Sequence, residues 1–173
     1  MRYRHTLLLL ALAAIIGATG CSYPISKKYR DRVRESVTFT DVREEPEEYK
    51  GETVIWGGVV LETRNTEEGS ELEVLHTPLS FLYEPTDPKK SKGRFIAKTS
   101  RFLDPEVYDK SKLITVAGNV VAKRTKKLDE TMYSYPVVQI EESYLWERRR
   151  DDRYDYYPRT HWGYYYGDPY YWY

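Results

Sequence analysis

One cysteine, three histidines and a few clusters of carboxylates and amines hold the reactive groups of this chain of 173 residues. The cysteine, Cys21, stands in the stretch GATGCS, directly after an apolar run and small residues. A thiol in that place has three readings: a buried core group, a partner in an intermolecular disulfide, or the acceptor of a lipid. Gly20 and Ser22 flank it and no apolar periodicity surrounds it, which speaks against the core. An odd cysteine has no internal partner, so a disulfide would have to join two chains in an oxidising compartment. The third reading rests on Ala18, Thr19, Gly20 and Cys21, which resemble the bacterial lipobox, although position 18 is more often leucine there. In that motif the thiol takes a diacylglyceryl group, the leader is cut before the cysteine, and the new amine is acylated. Each buried methylene contributes ~0.8 kcal/mol, and two or more chains hold a soluble domain to a bilayer, so one cysteine suffices as an anchor.

The other candidate groups point away from catalysis. His5 lies in the leader, His76 ends a strand pattern beside Thr77 and Pro78, and His161 is in the tail, so no pair has metal-ligand spacing. Glu44, Glu45, Glu47 and Glu48 surround Pro46 and precede Gly51, which reads as a solvated loop. Asp104 before Pro105 suits a helix N-cap. No G-x-S-x-G elbow or phosphate-cradling glycine loop occurs. No catalytic residue, metal ligand or cofactor site is expected, and an envelope hydrolase is the weakest reading. Two basic clusters, Lys89, Lys90, Lys92 and Arg94 with Lys123, Arg124, Lys126 and Lys127, suit a rim for anionic headgroups or polysaccharide. The plainer reading is two solvent loops that carry lysines for solubility.

The ends of the chain place these groups. Arg2, Arg4 and His5 precede an apolar run from Leu7 to Ile16, ten residues long. A bilayer-spanning helix needs about 20, so residues 1–20 read as an export signal. Removing Arg2 and Arg4 from the 27 basic residues leaves 25 against 27 acidic ones, a mature net charge of −2. That balance argues against a nucleic-acid partner, which calls for a concentrated positive face. Ser22, where aspartate would signal inner-membrane retention in enteric bacteria, leaves the outer membrane, periplasmic face, as the default address. Residues 21–36 read as the lipidated N-terminus and a polar tether, with a short helix allowed over Lys28 to Glu35.

Residues 37–147 read as the folded domain. Short β-branched runs bounded by turn formers occupy 53–62, 71–77, 93–99, 112–123 and 135–146. FLDPEVYDK, between the third and fourth, predicts a short helix or turn. Three strands, a helix and two strands give a mainly β fold, a small five-stranded OB-like barrel. Gly57, Gly58 and Gly118 mark places where strands coil. Val54, Trp56, Val59, Leu61, Ile114, Val116, Val120, Val138 and Ile140 are the expected core, and Trp56 and Trp146 are expected to cover barrel ends. Segments 64–70 and 123–131 read as polar hairpin tips and 83–93 as a longer basic loop.

EEPEEYKGETVIWGGVV, ELEVLHTPL, GRFIAKTSRFLDPEVY, KLITVAGNVV and YSYPVV followed by YLW, in that order behind a lipobox, resemble the Slp family of starvation-inducible outer-membrane lipoproteins over residues 39–146. The resemblance implies a Gram-negative envelope lipoprotein with an OB-like barrel, linked to stress or stationary phase, without an agreed active site. Cys21 is the one functional residue it transfers. The expected role is a non-catalytic binding or structural module, or alternatively a glycan- or headgroup-binding one. Outer-membrane lipid is the expected partner, with a glycan, lipopolysaccharide or envelope protein beside it.

The last 26 residues, 148–173, contain nine of the 18 tyrosines and two of the four tryptophans, with almost no aliphatic side chains. Without leucine, isoleucine or valine they cannot build a core, and Pro158, Gly163, Gly167 and Pro169 interrupt regular structure. Tyr164, Tyr165, Tyr166 and Trp172 present amphipathic rings suited to a sugar or a bilayer interface. Packing on the barrel and self-association stay open as well.

Overall fold

A computed structural model describes residues 23–147. Cys21, the signal segment and the Tyr-rich tail lie outside the described residues. Five strands follow two short helices: α1 (Lys27–Arg30), α2 (Phe39–Glu44), β1 (Thr53–Thr66), β2 (Gly69–Thr77), β3 (Gly93–Thr99), β4 (Leu113–Leu128) and β5 (Thr131–Trp146). The sheet closes in the order β1-β2-β3-β5-β4 and back to β1. Every pairing is antiparallel except β3 with β5, which run parallel over Ile96–Lys98 and Val137–Gln139. This is the Greek-key closure of a five-stranded OB-type barrel.

Alternation along the strands fills the interior with Val54, Trp56, Val60, Leu72, Val74, Phe95, Ala97, Ile114, Val116, Val120, Val138 and Ile140, all buried. Val59 and Leu61, expected inside, are only half-buried. The pair Gly57-Gly58 does not change the phase of β1, so 54, 56 and 60 share the inner face, and the shift in register comes later, between Val60 and Glu62. Gly118 marks another irregularity, at Ala117/Gly118 in the β4–β5 ladder. A Cβ there would stand 1.9 Å from the carbonyl oxygen of Gln139, so only glycine lets the two strands approach this closely.

Residues 102–110, read as a short helix or turn, form a turn. The amides of Val107 and Tyr108 donate to the Asp104 carbonyl at 3.0 and 2.9 Å, and the Asp104 carboxylate accepts from Glu106 N at 2.9 Å. Leu103 from this segment joins the core, and the turn is tied to the ends of β1 and β2 through Asn65, Thr63 and Ser70. The opposite mouth is plugged by α2, which the sequence reading missed. Its start is a capping box: Thr38 Oγ1 accepts from Asp41 N at 3.3 Å, and the Asp41 carboxylate accepts from Thr38 N at 2.9 Å. Phe39 and Val42, three residues apart on one face, are thereby driven into the core. Phe39 meets Trp56 and Phe95 edge-on and stacks on His76 at 4.0 Å between ring centres.

Residues 23–36 are not a solvated tether. Ile25 is fully buried and Tyr29 nearly so, packed on Ile55 and Ala117 on the outside of β1 and β4. Ser26 N donates to both oxygens of Glu142 at 3.2 Å, which holds the segment across β5.

Candidate functional site

Two surfaces gather the polar and aromatic side chains of the barrel. The first is the outer face of β2 and β3. With Leu72 and Val74 turned inward, Glu71 and Glu73 point outward, and Ile96 and Arg94 stand beside them on β3. The segments read as hairpin tips continue as strand: β4 runs to Leu128 and β5 starts at Thr131. This long hairpin arm reaches across the outer face. Arg124 and Arg64 pair with Glu71 at 2.7 and 2.6 Å; Lys126 and Arg94 pair with Glu73 at 2.5 and 2.8 Å. Tyr135 donates to Glu73 at 3.4 Å, and Tyr133 Oη accepts from Arg94 N at 2.9 Å. Beneath these groups Ile96, Tyr135 and Val137 form a buried apolar cluster flanked by Val121, Ala122 and Tyr133.

The electrostatics are those of a self-neutralised network. Hydrogen bonding from the Arg124 guanidinium holds the Glu71 carboxyl at about 2. Burial pushes the Glu73 carboxyl up, but hydrogen bonds from Lys126 and Arg94 outweigh it and the net displacement is downward. Both acids stay ionised and engaged, which suits neither a general acid nor a free base. The space left among Glu62, Arg64, Glu71, Glu73, Ile96 and Lys126 is about 10 Å³, room for about one water molecule.

The two basic clusters therefore do not form one rim. Arg94, Arg124 and Lys126 meet through the two glutamates. Lys89 and Lys90 sit exposed in a single 3-10 turn, and Lys92 follows it, its carbonyl accepting from Arg43 Nη1 at 2.6 Å. Lys123 and Lys127 occupy exposed positions of β4 that alternate with Arg124 and Lys126. Among the described residues none of Lys89, Lys90, Lys92, Lys123 and Lys127 has an ion-pair partner. The sequence reading did not single out Glu71 and Glu73, and their partners Arg124 and Lys126 lie 53 residues on, across the long hairpin.

His76 is a packed aromatic. Burial, with a smaller contribution from the Lys92 charge, lowers its imidazole to about 4, and its Nδ1 makes no hydrogen bond among the described residues. In the acidic loop, Glu45 is raised chiefly by the charge of Glu48. No three His, Cys, Asp or Glu among the described residues stand close enough to hold a metal ion.

The second surface is a cleft of about 380 Å³ lined by Tyr23, Pro24, Leu82, Tyr144 and Trp146. Trp146 lies outside the barrel and covers neither mouth. Its Nε1 donates to Thr115 Oγ1 at 2.9 Å, and that hydroxyl donates to the Tyr83 carbonyl at 2.6 Å. Tyr83, with φ at 65°, ends a tight turn in which Ser80 Oγ accepts from the amides of Leu82 and Glu84 at 3.3 and 3.1 Å. Tyr23 meets Tyr83 edge-on, the Arg30 guanidinium stacks 3.9 Å over Tyr23, and Tyr144 packs against Trp146 at 4.8 Å. Phe81, next to this wall, is 82% exposed. The cleft was invisible in the sequence because its residues come from three separate segments. Tyr164, Tyr165, Tyr166 and Trp172 are outside the described residues, as is Cys21.

A sequence model described as "Outer membrane lipoprotein Slp family" matches residues 18–173, which extends the resemblance beyond 39–146 to take in both Cys21 and the aromatic tail. An uncharacterised protein of Haemophilus influenzae is 30% identical over 148 residues, covering 84% of this chain and 78% of its own. Outer membrane protein Slp of Escherichia coli is 26% identical over 142 residues, 82% of this chain and 74% of its own. Among solved structures, a small single-stranded DNA-binding protein of Streptomyces coelicolor shares 12% identity and covers 54% of this chain and 92% of its own, with a TM-score of 0.33; a superposition that shallow says nothing of ligands. By the match across its length, and with the closed five-stranded barrel in place, the chain belongs to the Slp family of outer membrane lipoproteins.

Proposed function

We propose that this lipoprotein is a non-catalytic binding or structural module, held at the periplasmic leaflet of the outer membrane through acyl chains on Cys21. The observation that carries the structural side of this reading is the hairpin arm. OB-type barrels take oligomeric ligands across strands 2 and 3, and here that face is crossed by β4 and β5 and neutralised by Glu71 and Glu73. The barrel then acts as a rigid scaffold whose outer surfaces meet the envelope. Ser22 in place of aspartate supports onward sorting to the outer membrane. The rings of Tyr164, Tyr165, Tyr166 and Trp172 suit a second adhesive contact with a glycan or an envelope protein.

Mass spectrometry of the mature N-terminus tests the anchor: a chain that begins at a triacylated Cys21 is expected, and an unmodified start or another first residue refutes it. Headgroup or polysaccharide binding by the exposed lysines is a second reading, favoured by the five that lack ion-pair partners among the described residues. It predicts salt-sensitive retention on lipopolysaccharide that is lost on changing Lys89, Lys90 and Lys92 to glutamate, and unchanged retention counts against it.

A further inference from the structure

We propose that the aromatic cleft and the turn beside it form a bilayer-docking face, which lays the barrel on the phospholipid surface in one fixed orientation. The inference rests on the lipid-anchored reading above. Its first support is position. Cys21 precedes Tyr23 by two residues, so acyl chains on that cysteine enter the membrane within about 7 Å of the Tyr23 backbone. The segment that follows is clamped to the barrel by buried Ile25 and by the Ser26–Glu142 hydrogen bonds, so the barrel stays within a few residues of its anchor.

Chemistry gives the second support. The cleft and its rim present Tyr23, Leu82, Tyr144 and Trp146 with Phe81 projecting beside them, amphipathic or apolar groups of the kind that settle at the headgroup boundary. Charge gives the third. Between Lys27 and Arg34 five cationic residues stand against Asp31 alone. Lys27 pairs with Asp31 and Arg34 with Glu52, whereas Lys28, Arg30 and Arg32 have no carboxylate partner among the described residues. Arg30, already stacked on Tyr23, has a buried Nε without an acceptor among the described residues. Arg30 on the Tyr23 ring, with Lys28 and Arg32 next to it in sequence, matches the phosphates of anionic phospholipid.

Cys21 is the sole cysteine, so once its thiol is acylated an introduced cysteine is a unique labelling site. The full-length acylated chain carrying Phe81→Cys, labelled with a nitrobenzoxadiazole dye, is reconstituted in phosphatidylethanolamine–phosphatidylglycerol vesicles that contain headgroup-region nitroxide lipids. Met132→Cys, on the exposed end of the hairpin arm, serves as the reference. The dye at position 81 should be quenched several-fold more strongly than the dye at 132, and the difference should shrink when Arg30 and Arg32 are changed to glutamate. Protein that floats with the vesicles yet shows equal quenching at both positions overturns the docking face and leaves the anchor intact. Protein that does not float overturns both. If strong quenching at position 81 emerges only after residues 148–173 are removed, the tail occupies the cleft and the bilayer does not, which also overturns the proposal.

Discussion

His76 shows how one side chain can report on the packing around it. Stacked on Phe39 and edge-on to Trp56, its imidazole stays neutral in the folded protein down to about pH 4, whereas an unfolded histidine takes a proton near 6.5. Between those values the unfolded chain binds more protons, so stability rises with pH in that window and is lost as pH falls through it. Urea unfolding should therefore show a loss of about 2 kcal/mol between about pH 7 and about pH 5, most of it absent in His76→Phe. Equal pH slopes in the two proteins would contradict this account of the site. The lowered Glu71 acts in a separate range: its contribution is present above about 4.5 and fades as pH falls toward 2. At this scale the sequence was a partial guide. His76 was legible as the end of a strand but not as a packed ring, and the lysines and the arginine of 123–127 read as loop residues because K-R-T-K-K looks like a solvated tip. Only the alternation of Arg124 and Lys126 toward ELEV explains them, and that requires knowing that the hairpin continues as strand.

Elements were legible where period and punctuation agreed. The third strand lies at 93–99 as read, and the first begins at Thr53, because β-branched runs there end in glycine or charged turns. The ends of β1, β4 and β5 were hidden, since their outer portions are polar on both faces and owe their pairing to ion pairs and to each other. α2 was missed for a different reason: six residues give too little periodicity, and Thr38-x-x-Asp41 was the one signal that marked it. Glycine carried more information. Gly118→Ala places a methyl carbon against the Gln139 carbonyl at the bulge and should cost about 3 kcal/mol, seen as a lowered urea midpoint. An alanine variant as stable as the parent would mean that β4 and β5 separate there without penalty.

At the scale of the whole molecule, the folded unit begins earlier than 37. A chain of residues 37–147 lacks Ile25 and Tyr29 and exposes Ile55 and Ala117, whereas a chain of 23–147 keeps that outer cluster. Burial of two large side chains contributes about 3–5 kcal/mol, so the longer chain should unfold at the higher urea concentration, and equal midpoints would show that the segment adds nothing. No pattern in SYPISKKYRDRVRES announces this, because among its described residues only Ile25 and Tyr29 are buried, and charges dominate its composition. The docked segment also sets the route of mechanical tension. Tyr23 and Trp146 line the same cleft, so the N-terminal segment and the end of β5 meet side by side. A pull from the N-terminal side acts first where Ile25 packs and Ser26 meets Glu142. The ladder that joins β4 to β5 spans fifteen paired positions and starts, at Leu113 and Trp146, where the chain leaves the barrel. Tension arriving at Tyr23 therefore peels away this outer segment before it reaches the first strand of the barrel.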